Sequence, residues 1–114
     1  MKMKVSELQG AALDQALCWA VAKGEGIELT NYSGNLIIRY DGDRWQPTTN
    51  WAQGGPIIER ERIELWGDGD EGWIAYDNLN PEQKGPTPLI AAMRCYVASR
   101  LGDEVEVPNE LMEV

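Results

Sequence analysis

Hydrophobic positions recur at helical spacing near both ends of the chain and at alternating spacing through its middle. In VSELQGAALDQALCWAVAKGEG, residues 5–26, Leu8, Ala12, Leu13, Ala16, Leu17, Trp19 and Ala20 return every three or four positions, the period of an α-helix. Ser6 followed by Gln9 has the form of a capping box, and Gly24 or Gly26 supplies a stop, so a helix is predicted over about 7–23. Its apolar arc is too broad for one-sided contact with a thin sheet, which predicts either a second helix alongside or an oligomer interface. GPTPLIAAMRCYVASRLGDE predicts that second helix over 88–101: Thr87 can cap, Pro88 suits the first helical position, and Gly102 follows the last apolar residue. Leu89, Ile90, Met93, Tyr96, Val97 and Leu101 make a bulky face, and Ala91, Ala92, Cys95, Ala98 and Ser99 a small one. The small face is expected against the first helix and the bulky face on a sheet. Arg94, at the edge of the bulky face, is expected to meet a carboxylate or to snorkel to water.

Between these helices the period falls to two. Leu36 to Tyr40, the Asp41-Gly42 turn signal and Arg44-Trp45 read as a strand entering a hairpin. Ile63 to Trp66 and Trp73 to Tyr76 flank a Gly/Asp-rich connection and read as a second hairpin, and Ile27 to Tyr32 adds a short strand. Residues 78–88 carry three prolines and read as a loop, and Val105 and Val107 suggest an extended edge in the tail. The predicted architecture is a single α+β domain over 1–114, with two helices packed together on a small antiparallel sheet of three to four strands.

Composition narrows the function classes. Of 114 residues, 43% are hydrophobic and 25% charged, close to the globular average, so the chain can build a core without staples. The net charge of −9 opposes approach to nucleic-acid phosphates and to anionic lipid, so neither is an expected partner. No apolar run reaches the ~20 residues of a membrane helix, and Met1 to Glu7 lacks the apolar stretch of a signal peptide. Cys18 and Cys95 each sit in an apolar helical pattern, as buried free thiols do.

Histidine is absent, which removes the usual zinc ligand and the usual general base. WGDGDEGW groups Asp68, Asp70 and Glu71, but an EF-hand loop begun at Asp68 would need oxygens where Gly72 and Leu79 stand, so a solvated turn is expected. No P-loop, GxSxG elbow or GxGxxG occurs, and neither metal nor cofactor is expected. The alternating charges of Glu59 to Arg62 read as a solvated helical surface. Among the five tryptophans, Trp19 and Trp66 are expected in the core, while Trp45 and Trp51, flanking QPTTN, are candidates for a partner-binding surface. In WAQGGPIIER, Gly54-Gly55 is expected to make a turn with positive φ, and Pro56 to start a short helical turn that sets Ile57 and Ile58 against the core.

VSELQGAALDQALCWAVAKGEG, WAQGGPIIERERI and especially GPTPLIAAMRCYVASRLGDEVEVP resemble the NinX-type family of lambdoid phage proteins over nearly the whole chain. The resemblance implies a phage or prophage origin and a place in the bacterial host cytoplasm; it brings no activity and no catalytic residue. The expected function is therefore that of a non-enzymatic phage accessory protein binding a host or phage protein, one with a basic surface by charge, through Trp45, Trp51, Gly54, Gly55 and Pro56. The alternative is a small-molecule-binding or enzymatic domain using the Trp51 loop and nearby carboxylates. A homo-oligomer built on the apolar arc of the first helix is a third reading.

Overall fold

The computed structural model describes residues 2–22, 27–32, 35–40, 43–70 and 72–107. It has the predicted α+β character. Strand β1 (Lys2–Lys4) leads through a 3-10 turn at Val5–Glu7 to α1 (Gly10–Ala22), followed by β2 (Ile27–Tyr32), β3 (Asn35–Tyr40) and β4 (Asp43–Arg44). Then come α2 (Trp51–Glu61), β5 (Glu64–Gly67), β6 (Trp73–Tyr76), β7 (Gln83–Gly85), α3 (Pro88–Leu101) and β8 (Glu104–Glu106).

The strands are divided among three small antiparallel sheets, β1-β8, β2-β3-β4 and β5-β6-β7, where the periodicity suggested one. The physical reason is α2. Eleven helical residues separate the strands of 27–44 from those of 64–85, so each group closes on its own hairpins. Two strands escaped the periodicity reading. β7 lies inside the segment expected to be loop, its three residues too few to show alternation, and β1 is recruited by the tail strand through Met3 opposite Val105. The Gly24 and Gly26 stop, the Asp41-Gly42 turn and the tail beyond Val107 lie outside the described residues.

Helix α3 begins and ends where its sequence predicts. Thr87 Oγ1 accepts from the Ile90 N–H at 3.1 Å, Pro88 stands in the first turn, and Gly102 closes the helix at φ 91°. It is the enclosed element: every residue from Ala91 to Ala98 is buried, with α1, α2 and the β5-β6-β7 sheet packed around it. The expected division of its faces is corrected at Ala91. A Cβ on Gly85 would fall 2.6 Å from the Ala91 nitrogen, so the small face lies backbone to backbone against β7 there. Arg94 is buried and, among the described residues, meets no carboxylate. Its Nε donates to the Leu8 carbonyl and one Nη to the Lys84 carbonyl, both at 2.8 Å, stitching the start of the chain and β7 to α3. Burial pulls its pKa down.

Helix α1 starts three residues later than predicted. Gly10 holds a left-handed φ of 57°, and the Leu8 carbonyl serves Arg94, so the helix cannot continue back through Leu8. Ser6 consequently falls inside the 3-10 turn and not at a helix cap. Leu8, Ala12, Leu13, Ala16 and Leu17, the first part of the predicted arc, are buried within the chain, where α1 packs on α3 and β3. Cys95 is a buried free thiol, pushed up to about 12 by burial first and by the charge of Asp77 second; the side chains of Cys18 and Trp19 lie outside the described residues.

Candidate functional site

The WAQGGPIIER segment is helical throughout, which corrects the expected glycine turn. Asn50 caps α2, its Oδ1 accepting from the Ala52 N–H at 2.9 Å, so the helix begins at Trp51 and not at Pro56. Neither Gly54 nor Gly55 has positive φ. Gly54 is glycine for packing: a Cβ would stand 2.5 Å from the Pro47 carbonyl oxygen and 2.6 Å from Leu89 Cδ2. Gly55 has open space around it, but it precedes Pro56, and a Cβ there would crowd the proline ring in helical conformation. The helix ends with Arg62 at φ 54°, its N–H reaching Glu59 O while the Ile63 N–H reaches Ile58 O, a Schellman closure without the usual glycine.

The segment before α2 is pinned from three directions. Gln53 Nε2 donates to Arg44 O and Gln53 Oε1 accepts from the Gln46 N–H, each at 2.6 Å. The Thr48 hydroxyl and N–H both donate to Asp14 Oδ1, at 2.8 and 3.2 Å, and the Trp45 indole N–H donates to the Asp14 carbonyl at 3.1 Å. Burial raises the Asp14 carboxyl from 3.8 to about 6, against the opposing pull of the Thr48 bonds.

These contacts sort the expected surface residues. Trp51 is 55% exposed at the first position of α2. Ala52 and Pro56 are exposed and Gly55 half-buried, and helical spacing puts all four on one side over the first two turns. Gly54 is buried beneath them. Trp45 is half-buried against the core, with its N–H committed to Asp14. Trp51, Gly55 and Pro56 are therefore brought together at the surface, with Ala52 added, while Trp45 and Gly54 support them from below.

Trp66 is not in the core as expected: it is 40% exposed. The register sets Trp66 opposite Ile74, on the face shared with Glu64, Tyr76 and Lys84, whereas Leu65, Ala75 and Gly85 take the face toward α3. The Gly/Asp connection is a hairpin turn, with Gly69 and Gly72 at φ 57° and 119° and the Asp68 N–H on Gly72 O at 2.9 Å. Asp68 pairs with Lys84 at 3.6 Å; Glu71 lies outside the described residues. Among the described residues no group of three or more acidic or cysteine side chains is placed to hold a metal ion.

Two clefts formed by described residues lie elsewhere, and Trp51 lines neither. One, of about 420 Å³, is bounded by the polar and charged residues Lys4, Ser6, Gln83, Asp103 and Glu104. The other, of about 280 Å³, lies where α2 and α3 end and has Ile63, Tyr96 and Arg100 among its walls. The ERER segment contributes to its rim. Glu61 takes Arg60 at 2.9 Å and Arg100 at 3.2 Å, and both guanidinium groups lie near the Tyr96 ring, 5.8 and 5.4 Å from its centre. The bond from Arg60 is the main reason Glu61 is held below the usual carboxylate range; burial opposes it, and Arg100 adds to the lowering.

The fold and surface together define a small α+β protein built around one enclosed helix, with a fixed aromatic face at the start of another. The chain belongs to a family of phage proteins, described as Bacteriophage P22, NinX, which matches residues 4–100. No curated protein matches it. Among the described residues no helix is long and apolar enough to cross a membrane.

Proposed function

We propose that this phage protein is an accessory factor that works by binding another protein through the exposed start of α2. The observation that carries the reading is Trp51, exposed beside Ala52, Gly55 and Pro56 on a helix end held by the Asn50, Gln53 and Thr48 bonds. A large aromatic on a rigid support loses little freedom when covered, and such residues dominate interface energetics. Basic partners are favoured, because a net charge of −9 attracts them and accelerates encounter.

The test is affinity capture from phage-infected or prophage-bearing cells with the wild type and with Trp51→Ala, followed by calorimetry on the purified captured protein. Trp51→Ala is expected to weaken binding by about 30-fold, the loss typical of an aromatic hot spot, with an unchanged melting temperature. Affinity for the captured protein is expected to fall as salt rises. Equal affinity for the two forms would count against the reading.

A further inference from the structure

A lone exposed leucine on a protein surface carries little information. Leu79 differs because of what surrounds it. It is 88% exposed at the tip of a turn in which Asp77 Oδ1 accepts from the Leu79 and Asn80 N–H groups at 3.0 and 2.9 Å, and it stands at the rim of the 280 Å³ cleft. That cleft, of about 280 Å³, has room for an inserted apolar side chain. Ile63 and Tyr96 supply apolar wall between the polar side chains of Glu61, Asp77, Ser99 and Arg100. Knob and hole thus lie side by side on one surface.

Charge selects the occupant. Two copies of a chain with net charge −9 repel over most of their surfaces. Here Arg60 and Arg100 both pair with Glu61, and the Asp77 carboxylate is held by the turn N–H groups, two charges of each sign, so the patch is locally neutral and lets a second acidic copy approach. We infer that the occupant is a second copy of this chain: a two-fold axis through the patch seats each Leu79 in the other copy's cleft, the self-complementary arrangement that an isologous dimer requires.

Sedimentation equilibrium of the full chain over a wide concentration range tests this. The wild type is expected to dimerise, and to do so more tightly in salt, which screens the net repulsion while sparing an apolar contact. Leu79→Asp is expected to raise the dimer dissociation constant at least about ten-fold. The side chain is exposed, so circular dichroism and melting temperature should not move. Trp51→Ala is expected to dimerise like the wild type, which separates this surface from the α2 face. A chain that stays monomeric throughout, a Leu79→Asp variant that associates as tightly as the wild type, or association that weakens in salt would each overturn the inference.

Discussion

Asp14 joins α1 to the loop before α2 through a buried carboxylate, and its elevated pKa fixes the sign of a pH effect. The folded state holds the proton up to about pH 6, the unfolded chain only to about 3.8, so this group adds stability as pH falls through that window and costs stability above it. Asp14→Asn keeps an oxygen to accept from Thr48 and removes the buried charge. The variant is expected to be more stable than the wild type at pH 7, by about 2 kcal/mol, and to lose that advantage by pH 4. Urea midpoints of both proteins at the two pH values measure it, and a difference independent of pH would remove the explanation. Gly54 gives a second local prediction. Alanine improves helix propensity by up to ~1 kcal/mol, but its Cβ would overlap a backbone carbonyl that cannot move aside, so Gly54→Ala should destabilise by about 1–3 kcal/mol net. Gly55→Ala meets no distant backbone, only the ring of the following Pro56, so it should cost less than Gly54→Ala in the same denaturation assay.

The elements owe their limits to a mixture of local signals and distant contacts. Thr87, Pro88 and Gly102 mark α3 because caps act within one turn, and these were legible in the chain. Asn50 carried the same kind of signal for α2, with Gln53 three residues later, yet Gly54-Gly55-Pro56 reads as a turn until the packing of Gly54 on Pro47 and Leu89 is known. Arg94 shows the distant case, since it reaches a carbonyl 86 positions away. Arg94→Met retains much of the buried stem and removes both donors, leaving the Leu8 and Lys84 carbonyls without them. A loss of about 2–3 kcal/mol is expected, together with faster amide exchange around β7 and the 3-10 turn. Exchange that stays at wild-type rates would mean the stitch is not holding these segments.

Across the molecule, α3 is enclosed by elements drawn from both ends and the middle of the chain, which leaves two surfaces that differ in chemistry. The Trp51 face is apolar on a rigid helix start in a strongly acidic protein, so on the proposed function its occupancy should depend on Trp51 and on a basic partner. The Leu79 surface is locally neutral and shaped to meet itself, so its occupancy should depend on Leu79 and on protein concentration. A variant carrying both changes should lose both behaviours independently if the surfaces do not share contacts. Helical and strand periods, the ends of α3, the hairpins at 35–44 and 64–76 and the acidic character all followed from the order of residues, because each rests on neighbours a few positions apart or on plain counting. The enclosure of α3 on all sides, the exposure of Trp66, the packing role of Gly54 and the pairing of the first strand with the last did not. Each of those is settled by which distant backbone comes within van der Waals or hydrogen-bond distance, and that is a property of the assembled fold and not of any segment of it.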